Sequence, residues 1–351
     1  MSLGNPSPKI RASMFSEFFD STEGNETVAF MNEFIIFNHM ARADYSRVIR
    51  ELIHEIRKEK SAFERLFAEK GKRIVMKRLF EIEVISSALM SSEELGAFCI
   101  SFEDFLEDLP KILVGYGTSR INEFYRDVVN VDDEYFKDLW IFPDPNSIME
   151  IEDYERGLIK AIQSQNVEFT RNLFHEVAKF RQFYGRLYNK YKHSFPLFLR
   201  WGQPKYVSTG LKGDEECLEL AVVFDDPHHP LRNPKMFIVG QHAVKRATTL
   251  QVYMSHFLEM LLRRRLNWAR FEGKRLPPTV VYGRNPLEKQ DWEIYQATVK
   301  SLLPTPVRNW PIQAKLSPIS GDVTELHEWI HEDIWKDHWF KAKPDRFFYA
   351  T

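Results

Sequence analysis

The chain has 351 residues, of which 44% are hydrophobic and 28% are charged, and its formal net charge is -2. This is the composition of a globular protein with one large domain or two closely packed ones. The near-neutral balance excludes a global field that draws the protein to nucleic acid or to a membrane, so such binding needs a local patch. Two cysteines, Cys99 and Cys217, make neither a disulfide framework nor a thiolate metal site.

No apolar run is long enough to span a bilayer, and no apolar core follows a basic start at the N-terminus. We therefore expect a reduced cytoplasmic protein that needs no cofactor and makes no membrane contact. Aromatic residues are abundant, with 28 Phe, 13 Tyr and 8 Trp. We expect most of them to fill a core of large side chains.

Up to about residue 200 the pattern predicts helices, because apolar residues recur at steps of three and four. The predicted helices are 25–40, 42–70, 73–90, 92–109, 119–130 and 148–164. Gly71 is expected to end the second of them. The stretch "FPDPNS" at 142–147 predicts a loop. Thr118 or Ser119 is expected to cap the helix that follows the glycines of "VGYGTSR".

The helix predicted over 167–194 has the most regular pattern. Its apolar residues are spaced alternately by four and three, as in a heptad seam that packs into a bundle. The seam residues are Leu173, Val177, Phe180, Tyr184, Leu187 and Tyr191. Pro196 is expected to end this helix.

Beyond residue 200 the pattern changes to a mixture of strands and helices. Strands are predicted at 217–224, 235–240, 279–283 and 312–317, and helices at 241–272, 287–303 and 322–338. The expected fold class is mainly α, a helical bundle with long amphipathic helices over 1–200. A smaller α+β part over 201–351 packs on it, with a soft boundary between the two.

The stretch "RLYNKYKH" at 186–193 places polar side chains on one helix face, since residues at i, i+3, i+4 and i+7 lie together. That face, opposite the seam, is lined by His175, Lys179, Gln182, Arg186, Asn189, Lys190 and His193. A solvated helix face has this composition. The same residue types also fit proton transfer on RNA. A histidine takes a proton from a ribose 2′-hydroxyl or gives one to a leaving oxygen, and an arginine stabilises the charge of a phosphorane-like transition state.

An Arg and a His separated by six residues, late on a long helix of a bundle, resemble the motif of the HEPN superfamily. The resemblance covers about 150–195. It implies metal-independent RNA cleavage at a homodimer interface, with Arg186 and His193 as the catalytic pair and Asn189 as a polar helper. Six intervening residues are the upper end of the family's spacing, and Leu187 stands where active members often carry a polar residue. The superfamily also includes inactive members that serve as scaffolds.

The strongest basic cluster is "RRRLNWARFEGKR" at 263–275. Its candidate nucleic-acid-binding residues are Arg263, Arg264, Arg265, Arg270, Lys274 and Arg275. In one interpretation they bind RNA phosphates while Trp268 and Phe271 stack on bases. In the other they are positive charges at the C-terminal end of a helix, where the helix dipole favours them.

Two further motifs contain metal-ligand residue types. "HEWIH" at 327–331 matches the zinc pattern in which His327 and His331 bind the metal and Glu328 activates water. Its acidic neighbours favour an exposed C-terminal helix over a buried zinc site. "DDPHHP" at 225–230 is better interpreted as a proline-stiffened turn, because adjacent side chains on an extended loop point in different directions.

The residues together favour RNA binding, or metal-independent RNA cleavage of the HEPN type, by a homodimer. The alternative is a non-catalytic helical scaffold for protein–protein interaction, which Leu187 and the long spacing favour. A second alternative is a zinc-dependent hydrolase that uses the 327–331 motif.

Overall fold

A computed structural model describes residues 70–103, 117–192, 197–201, 219–223, 235–238, 241–271, 274–283, 285–304, 308 and 312–315, and part of 41–53. Within these residues the fold is mainly α, as predicted. The helices are α1 (Lys70–Glu103), α2 (Thr118–Asp127), α3 (Asp133–Leu139), α4 (Asp153–Lys192), α5 (Gln241–Arg270) and α6 (Lys289–Leu302). The described residues of 41–53 are also helical, whereas the helices predicted at 25–40 and 322–338 lie outside the described residues.

Two of the long helices are continuous where the sequence predicted a break. The α1 helix runs through Ser91 and Ser92, and the Ser92 hydroxyl donates to the carbonyl of Leu89 in the same helix at 2.6 Å. The α4 helix likewise runs through the predicted junction at 165–166. Ser, Gln and Asn weaken a helix only slightly, and unlike proline they keep the backbone N–H that the helix needs. Tertiary packing can therefore stabilise a continuous helix through these residues.

The starts of α1 and α2 also differ from the prediction. Gly71 ends no helix; it is the second residue of α1. The N-cap of α2 is Gly117 rather than Thr118 or Ser119, and no side chain caps this helix. Gly117 is extended, with φ -90° and ψ 140°, which is the usual backbone conformation of an N-cap.

The seven-residue helix α3 is absent from the sequence-based prediction, since about two turns are too few for an apolar period to stand out. Its signal is electrostatic. Asp132 accepts a hydrogen bond from the backbone N–H of Tyr135 at 3.1 Å, and Asp133 and Glu134 follow in the first turn. Acidic residues there are stabilised by the helix dipole.

The first strands form a three-stranded antiparallel sheet of order β1 (Leu197–Trp201), β2 (Glu219–Val223) and β3 (Lys235–Ile238). Phe198 lies opposite Val222. The strands predicted at 217–224 and 235–240 are confirmed as β2 and β3. The sequence did not predict β1. This strand begins directly after Pro196, the residue that was expected to end the long helix.

The other two strands, β4 (Val280–Tyr282) and β5 (Gln313–Lys315), pair in parallel. They confirm the short strands predicted at 279–283 and 312–317. Parallel strands need a crossover connection, and α6 supplies it, so β4, α6 and β5 make a β–α–β unit. Val281 packs with Ile159 and Ile162 of α4 and with Tyr295 and Val299 of α6 in one buried cluster.

The side chain of Asn166 in α4 forms hydrogen bonds with the backbone of β4, as a neighbouring strand would. Its side-chain nitrogen donates to the carbonyl of Val280 at 2.9 Å, and its side-chain oxygen accepts from the N–H of Tyr282 at 2.8 Å. Asn166 is 2% exposed, so both bonds are inside the protein. They satisfy backbone groups that a two-stranded sheet otherwise leaves without a ladder partner.

Residue contacts divide the chain into two compact units, and α1, α4 and α5 each contribute to both. Within the described residues, one unit contains 93–178 and 253–315, and the other contains 41–92 and 179–252. The composition change near residue 200 coincides with the start of β1. The division into parts 1–200 and 201–351 stays a prediction.

The heptad seam of α4 is confirmed as a core-facing stripe. Leu173, Val177, Phe180, Tyr184 and Leu187 are each at most 2% exposed. The side chain of the sixth seam residue, Tyr191, lies outside the described residues. The expectation that aromatic side chains fill the core also holds, because the largest fully buried residues include Trp140, Tyr184, Tyr295 and several Phe.

Two glycines in helices should respond to alanine in opposite directions. A Cβ at Gly96 meets a ring carbon of Tyr125 at 3.0 Å and a methyl group of Ile121 at 3.2 Å, whereas a Cβ at Gly157 meets no described atom within 4 Å. We expect Gly96→Ala to lower the free energy of unfolding by about 1–3 kcal/mol through overpacking. Gly157→Ala should raise it by up to about 1 kcal/mol through helix propensity. Urea unfolding measures both, and equal effects at the two positions contradict this packing.

Replacing Asn166 should destabilise the β–α–β unit. Asn166→Ala leaves the carbonyl of Val280 and the N–H of Tyr282 unsatisfied, at a cost of about 1–3 kcal/mol for each buried group. The control is Asn130→Ala, which removes one exposed hydrogen bond of 3.3 Å to the carbonyl of Arg126. Thermal unfolding of the two variants compares them. If Asn166→Ala loses no more thermal stability than Asn130→Ala, the two hydrogen bonds do not stabilise the unit as expected.

Candidate functional site

The C-terminal half of α4 presents a polar face built by helix geometry. Lys179, Gln182, Arg186 and Asn189 follow one another at steps of three and four and are all exposed. Leu187, next to Arg186, is fully buried in the seam. Arg186 and Asn189 therefore lie together on one exposed face, as predicted. His193 lies outside the described residues, one position past the end of α4.

His175, predicted as the first member of this face, is half-buried. A ring nitrogen of His175 lies 3.0 Å from the carbonyl of Val129, at the 3-10 turn that follows α2. The hydrogen bond anchors this turn to α4. His175 thus has a structural contact, and the exposed face begins at Lys179, about one turn further along the helix.

Arg181 belongs to the interior side of the same helix. Its guanidinium donates to the hydroxyl of Ser92 at 2.7 Å and to the carbonyl of Leu89 at 3.5 Å, both in α1. A nearby polar contact links α1 to α5, where the side-chain amide of Gln251 donates to the hydroxyl of Ser87 at 2.8 Å. Buried polar groups require such partners, so these contacts fix how the helices of this unit meet.

The sequence places five basic residues and no acidic residue in 179–192. The absence of acidic residues extends over 177–213, which contains eight Lys or Arg. The chain has 50 acidic residues in 351, so a stretch of this length is expected to contain about five. The short motifs do not reveal this local excess of positive charge, because each of them spans too few residues. A charge count in a sliding window finds it.

Three arginines of the basic cluster at 263–275 bind other groups of the protein, and they are Arg264, Arg265 and Arg275. Arg264 donates to the carbonyls of Trp140 and Leu276, each at 2.6 Å, and to those of Ile141 at 3.2 Å and Pro277 at 3.4 Å. Its guanidinium also lies 4.9 Å from the centre of the Phe142 ring, in a cation–π contact. Arg264 joins the end of α3 to the segment that precedes β4.

Arg265 and Arg275 bind the same turn. Arg265 donates to the carbonyls of Asp138 and Leu139, each at 3.2 Å. Arg275 donates to the carboxylate of Asp138 at 3.0 Å and to the carbonyl of Phe142 at 3.1 Å. The last carbonyls of a helix have no partner within it, and cations at this end are favoured by the dipole. Arg265 and Arg275 thus place positive charge at the C-terminal end of α3, and both interpretations of the whole 263–275 cluster stay predictions.

The turn that these arginines bind has an unusual backbone. Ile141 has a φ of 52°, in the left-handed region that is costly for a β-branched residue. The N–H of Ile141 donates to the carbonyl of Asp138 at 3.0 Å, and that of Phe142 donates to the carbonyl of Lys137 at 2.9 Å. This is a Schellman helix end, in which glycine usually occupies the position of Ile141. Ile141 is 4% exposed, so its burial offsets the strain.

Burial lowers the pKa of Arg264 to about 10 and that of Arg265 to about 10. The main cause in both is desolvation of the charged guanidinium. For Arg265 the nearby Arg275 lowers the pKa further, while Cys99 and Asp138 raise it. Both arginines nevertheless remain protonated at neutral pH, so they bind the backbone carbonyls as cations.

The remaining members of the 263–275 cluster differ in their exposure. Trp268 is 8% exposed, so its ring is not presented to solvent for stacking on a base, and Phe271 is partly buried against the core. Lys274 is exposed. The side chains of Arg263 and Arg270 lie outside the described residues.

Both motifs with metal-ligand residue types, 225–230 and 327–331, also lie outside the described residues, so His327, Glu328 and His331 stay a prediction. Among the residues that the structure does describe, no three or more Asp, Glu, His or Cys side chains are grouped so as to hold a metal ion. In the same part of the chain, no helix combines the length and the apolar character needed to cross a membrane.

Comparison with known proteins finds no protein-family model, no curated protein and no solved structure that matches this chain.

Arg264 should be far more important for stability than Arg275. Arg264→Lys keeps the charge but loses most of the donors to four carbonyls, which we expect to lower the free energy of unfolding by about 3 kcal/mol. Arg275→Gln breaks an ion pair whose side chains are 38% and 59% exposed, worth less than about 1 kcal/mol. Guanidinium unfolding of both variants tests the difference, and similar losses exclude this assignment.

Proposed function

We propose that this protein binds RNA and cleaves it without a metal ion, by chemistry of the HEPN type. Arg186 stabilises the transition state, His193 transfers a proton, and Asn189 is a polar helper. The observation that carries the proposal is the joint exposure of Arg186 and Asn189, one turn apart on a continuous 40-residue helix. The acid-free stretch around them supports it, because a segment with more basic than acidic residues attracts a polyanion.

The proposed reaction is an internal transfer at one phosphodiester. A base removes the proton of the ribose 2′-hydroxyl, the 2′-oxygen attacks the phosphorus and the bond from phosphorus to the 5′-oxygen breaks. An acid returns a proton to that leaving oxygen. The products are a 2′,3′-cyclic phosphate and a 5′-hydroxyl, so neither water nor a redox partner is consumed. A guanidinium binds two oxygens of the pentavalent phosphorus at once, and this suits Arg186 to the negative charge that develops there.

A homodimer is part of the proposal, because one copy of the pair is poorly placed for this reaction. In the helix predicted over 167–194, the seven-residue step from Arg186 to His193 corresponds to a rise of about 10 Å. Two copies of α4 related by a two-fold axis bring two arginines and two histidines around one groove. One histidine is then available as the base and the other as the acid.

The second candidate function is a non-catalytic scaffold, and the burial of Leu187 favours it. Active members of the family that the motif resembles often have a polar residue at this position. Leu187 is fully buried in the seam, so it adds no polar group to the exposed face of Arg186 and Asn189. A protein that uses this face for protein–protein interaction keeps the helix but cleaves nothing.

The test is an RNA cleavage assay in EDTA. We expect cleavage of single-stranded RNA to 2′,3′-cyclic phosphate products, and no cleavage where the target ribose is replaced by 2′-deoxyribose. His193→Gln, which keeps a polar side chain but does not titrate, should lower the rate about 10²–10⁴-fold. Arg186→Ala should lower it by a similar factor.

Gln182→Ala is the matched control, because Gln182 is exposed on the same face one turn before Arg186. Its rate should remain that of the wild type. Cleavage that EDTA abolishes contradicts the metal-independent mechanism. A wild type that does not cleave, while both variants keep its folded stability, favours the scaffold instead.

A further inference from the structure

We infer that His256, Glu259 and Tyr282 form a binding site for one first-row transition metal ion, such as iron or zinc. The three residues lie in α5 and at the end of β4, within the same compact unit. The site is separate from the polar face of α4, so the inference does not rest on the proposed function. Two structural observations support it: a buried hydroxyl without a hydrogen-bond partner, and a histidine and a carboxylate one helical turn apart.

The hydroxyl of Tyr282 is the first observation. Tyr282 is 4% exposed, and its hydroxyl has no hydrogen-bond partner within the protein. The ring stacks on that of Phe169 at 5.0 Å, and the backbone N–H of Tyr282 donates to Asn166, so both the ring and the strand are held in place. A buried hydroxyl without a partner is destabilising and uncommon in folded proteins. A ligand that binds the phenol oxygen removes this cost.

His256 and Glu259 are three residues apart on α5 and therefore lie on one face of the helix. The Nδ1 atom of His256 is 3.9 Å from the Oε2 atom of Glu259, and the two side chains are 26% and 19% exposed. A metal ion lies about 2.1 Å from such nitrogen and oxygen ligands, so two ligand atoms of one ion are at most about 4.2 Å apart. The pair is already within this limit, and its partial exposure gives an ion access from solvent. Both residues also interact with other groups of the protein, so an ion competes with those contacts.

The carboxylate of Glu259 acts electrostatically on the phenol of Tyr282. Burial raises the pKa of Tyr282, and the negative charge of Glu259 raises it further. The phenol is therefore neutral, and it makes no hydrogen bond to the carboxylate. A cation bound by both residues offsets the carboxylate charge and stabilises the phenolate. The phenol proton goes to solvent, and the ion is bound by one nitrogen and two oxygens.

The ligand atoms indicate the class of metal. Imidazole nitrogen is a typical ligand of zinc and iron, whereas calcium and magnesium favour sites made of oxygen alone. Three protein ligands leave room in the coordination sphere for water or for a further ligand. Because the third ligand is a tyrosine, the site is compatible with the lack of any group of three Asp, Glu, His or Cys side chains among the described residues.

The first test measures metal binding by the full chain. After equilibrium dialysis against Zn²⁺ or against ferric citrate, metal analysis should find one ion per chain. His256→Gln and Glu259→Gln should each lower the affinity at least about tenfold. His175→Gln is the matched control, because His175 is also half-buried on a helix but contacts the carbonyl of Val129, and its affinity should equal that of the wild type. The ferric protein should show a phenolate-to-iron charge-transfer band in visible light, and Tyr282→Phe should remove it.

Thermal unfolding compares two buried tyrosines. In metal-free protein, Tyr282→Phe should unfold at the same temperature as the wild type or higher, because the lost hydroxyl has no partner. Tyr295→Phe is the control and should unfold at a lower temperature, because the Tyr295 hydroxyl donates to the carbonyl of Pro278. Zn²⁺ at about 100 times Kd should raise the midpoint of the wild type and of Tyr295→Phe by about 5 °C, and that of Tyr282→Phe by much less.

Three results overturn the inference. If neither ion binds, the three residues form no metal site. Binding that survives both His256→Gln and Glu259→Gln is adventitious binding elsewhere on the surface. Binding that His331→Gln abolishes belongs to the motif at 327–331 instead.

The Tyr282→Phe variant keeps the test decisive even if His256→Gln does not fold, because the substitution leaves the ring that stacks on Phe169 in place. Loss of the charge-transfer band in this variant supports the inference, and a band equal to that of the wild type overturns it. The RNA cleavage assay is carried out in EDTA, so a failure of the metal site and a failure of the proposed function are separate results.

Discussion

The guanidinium of Arg264 is the contact on which one of the two compact units depends. It joins the carbonyls of Trp140 and Ile141 at the end of α3 to those of Leu276 and Pro277 ahead of β4. The chain positions that it connects lie more than 130 residues apart in the sequence. A buried cation is tolerated only where acceptors surround it, so these carbonyls and Arg264 must be placed together.

Trp140 shows how the aromatic core is organised around that contact. Its ring lies 5.7 Å from Phe142, 5.2 Å from Phe257 and 5.7 Å from Tyr282, and its indole N–H donates to the hydroxyl of Thr170 at 2.8 Å. The carbonyl of the same residue accepts from Arg264. Such a residue is constrained on every side, which explains how the turn keeps Ile141 in a left-handed conformation that is otherwise unfavourable.

The polar face of α4 is different, because its residues come from one short segment of a single helix. Helical spacing alone puts Arg186 and Asn189 on one side and Leu187 in the seam. The face could therefore be predicted from the sequence, and so could the seam, β2 and the strands at 280–282 and 313–315. The continuity of α1 and α4 could not, since serine, glutamine and asparagine are compatible with a helix or a break. In α4, Asn166 stays helical and its side chain bonds to the backbone of β4. Only the folded chain brings these partners near Asn166.

The sequence by itself determined the mainly α class, the amphipathic stripe of α4 and the acid-free charge along 177–213, because these depend only on residue order and the helical period. Only the tertiary structure decided what Arg264, Arg265 and Arg275 bind. A run of arginines has the same composition beside a phosphate or beside backbone carbonyls, since both are hydrogen-bond acceptors that favour a cation. The end of α3 supplies those carbonyls from a distant part of the chain. Local sequence spacing does not predict a contact between such distant segments.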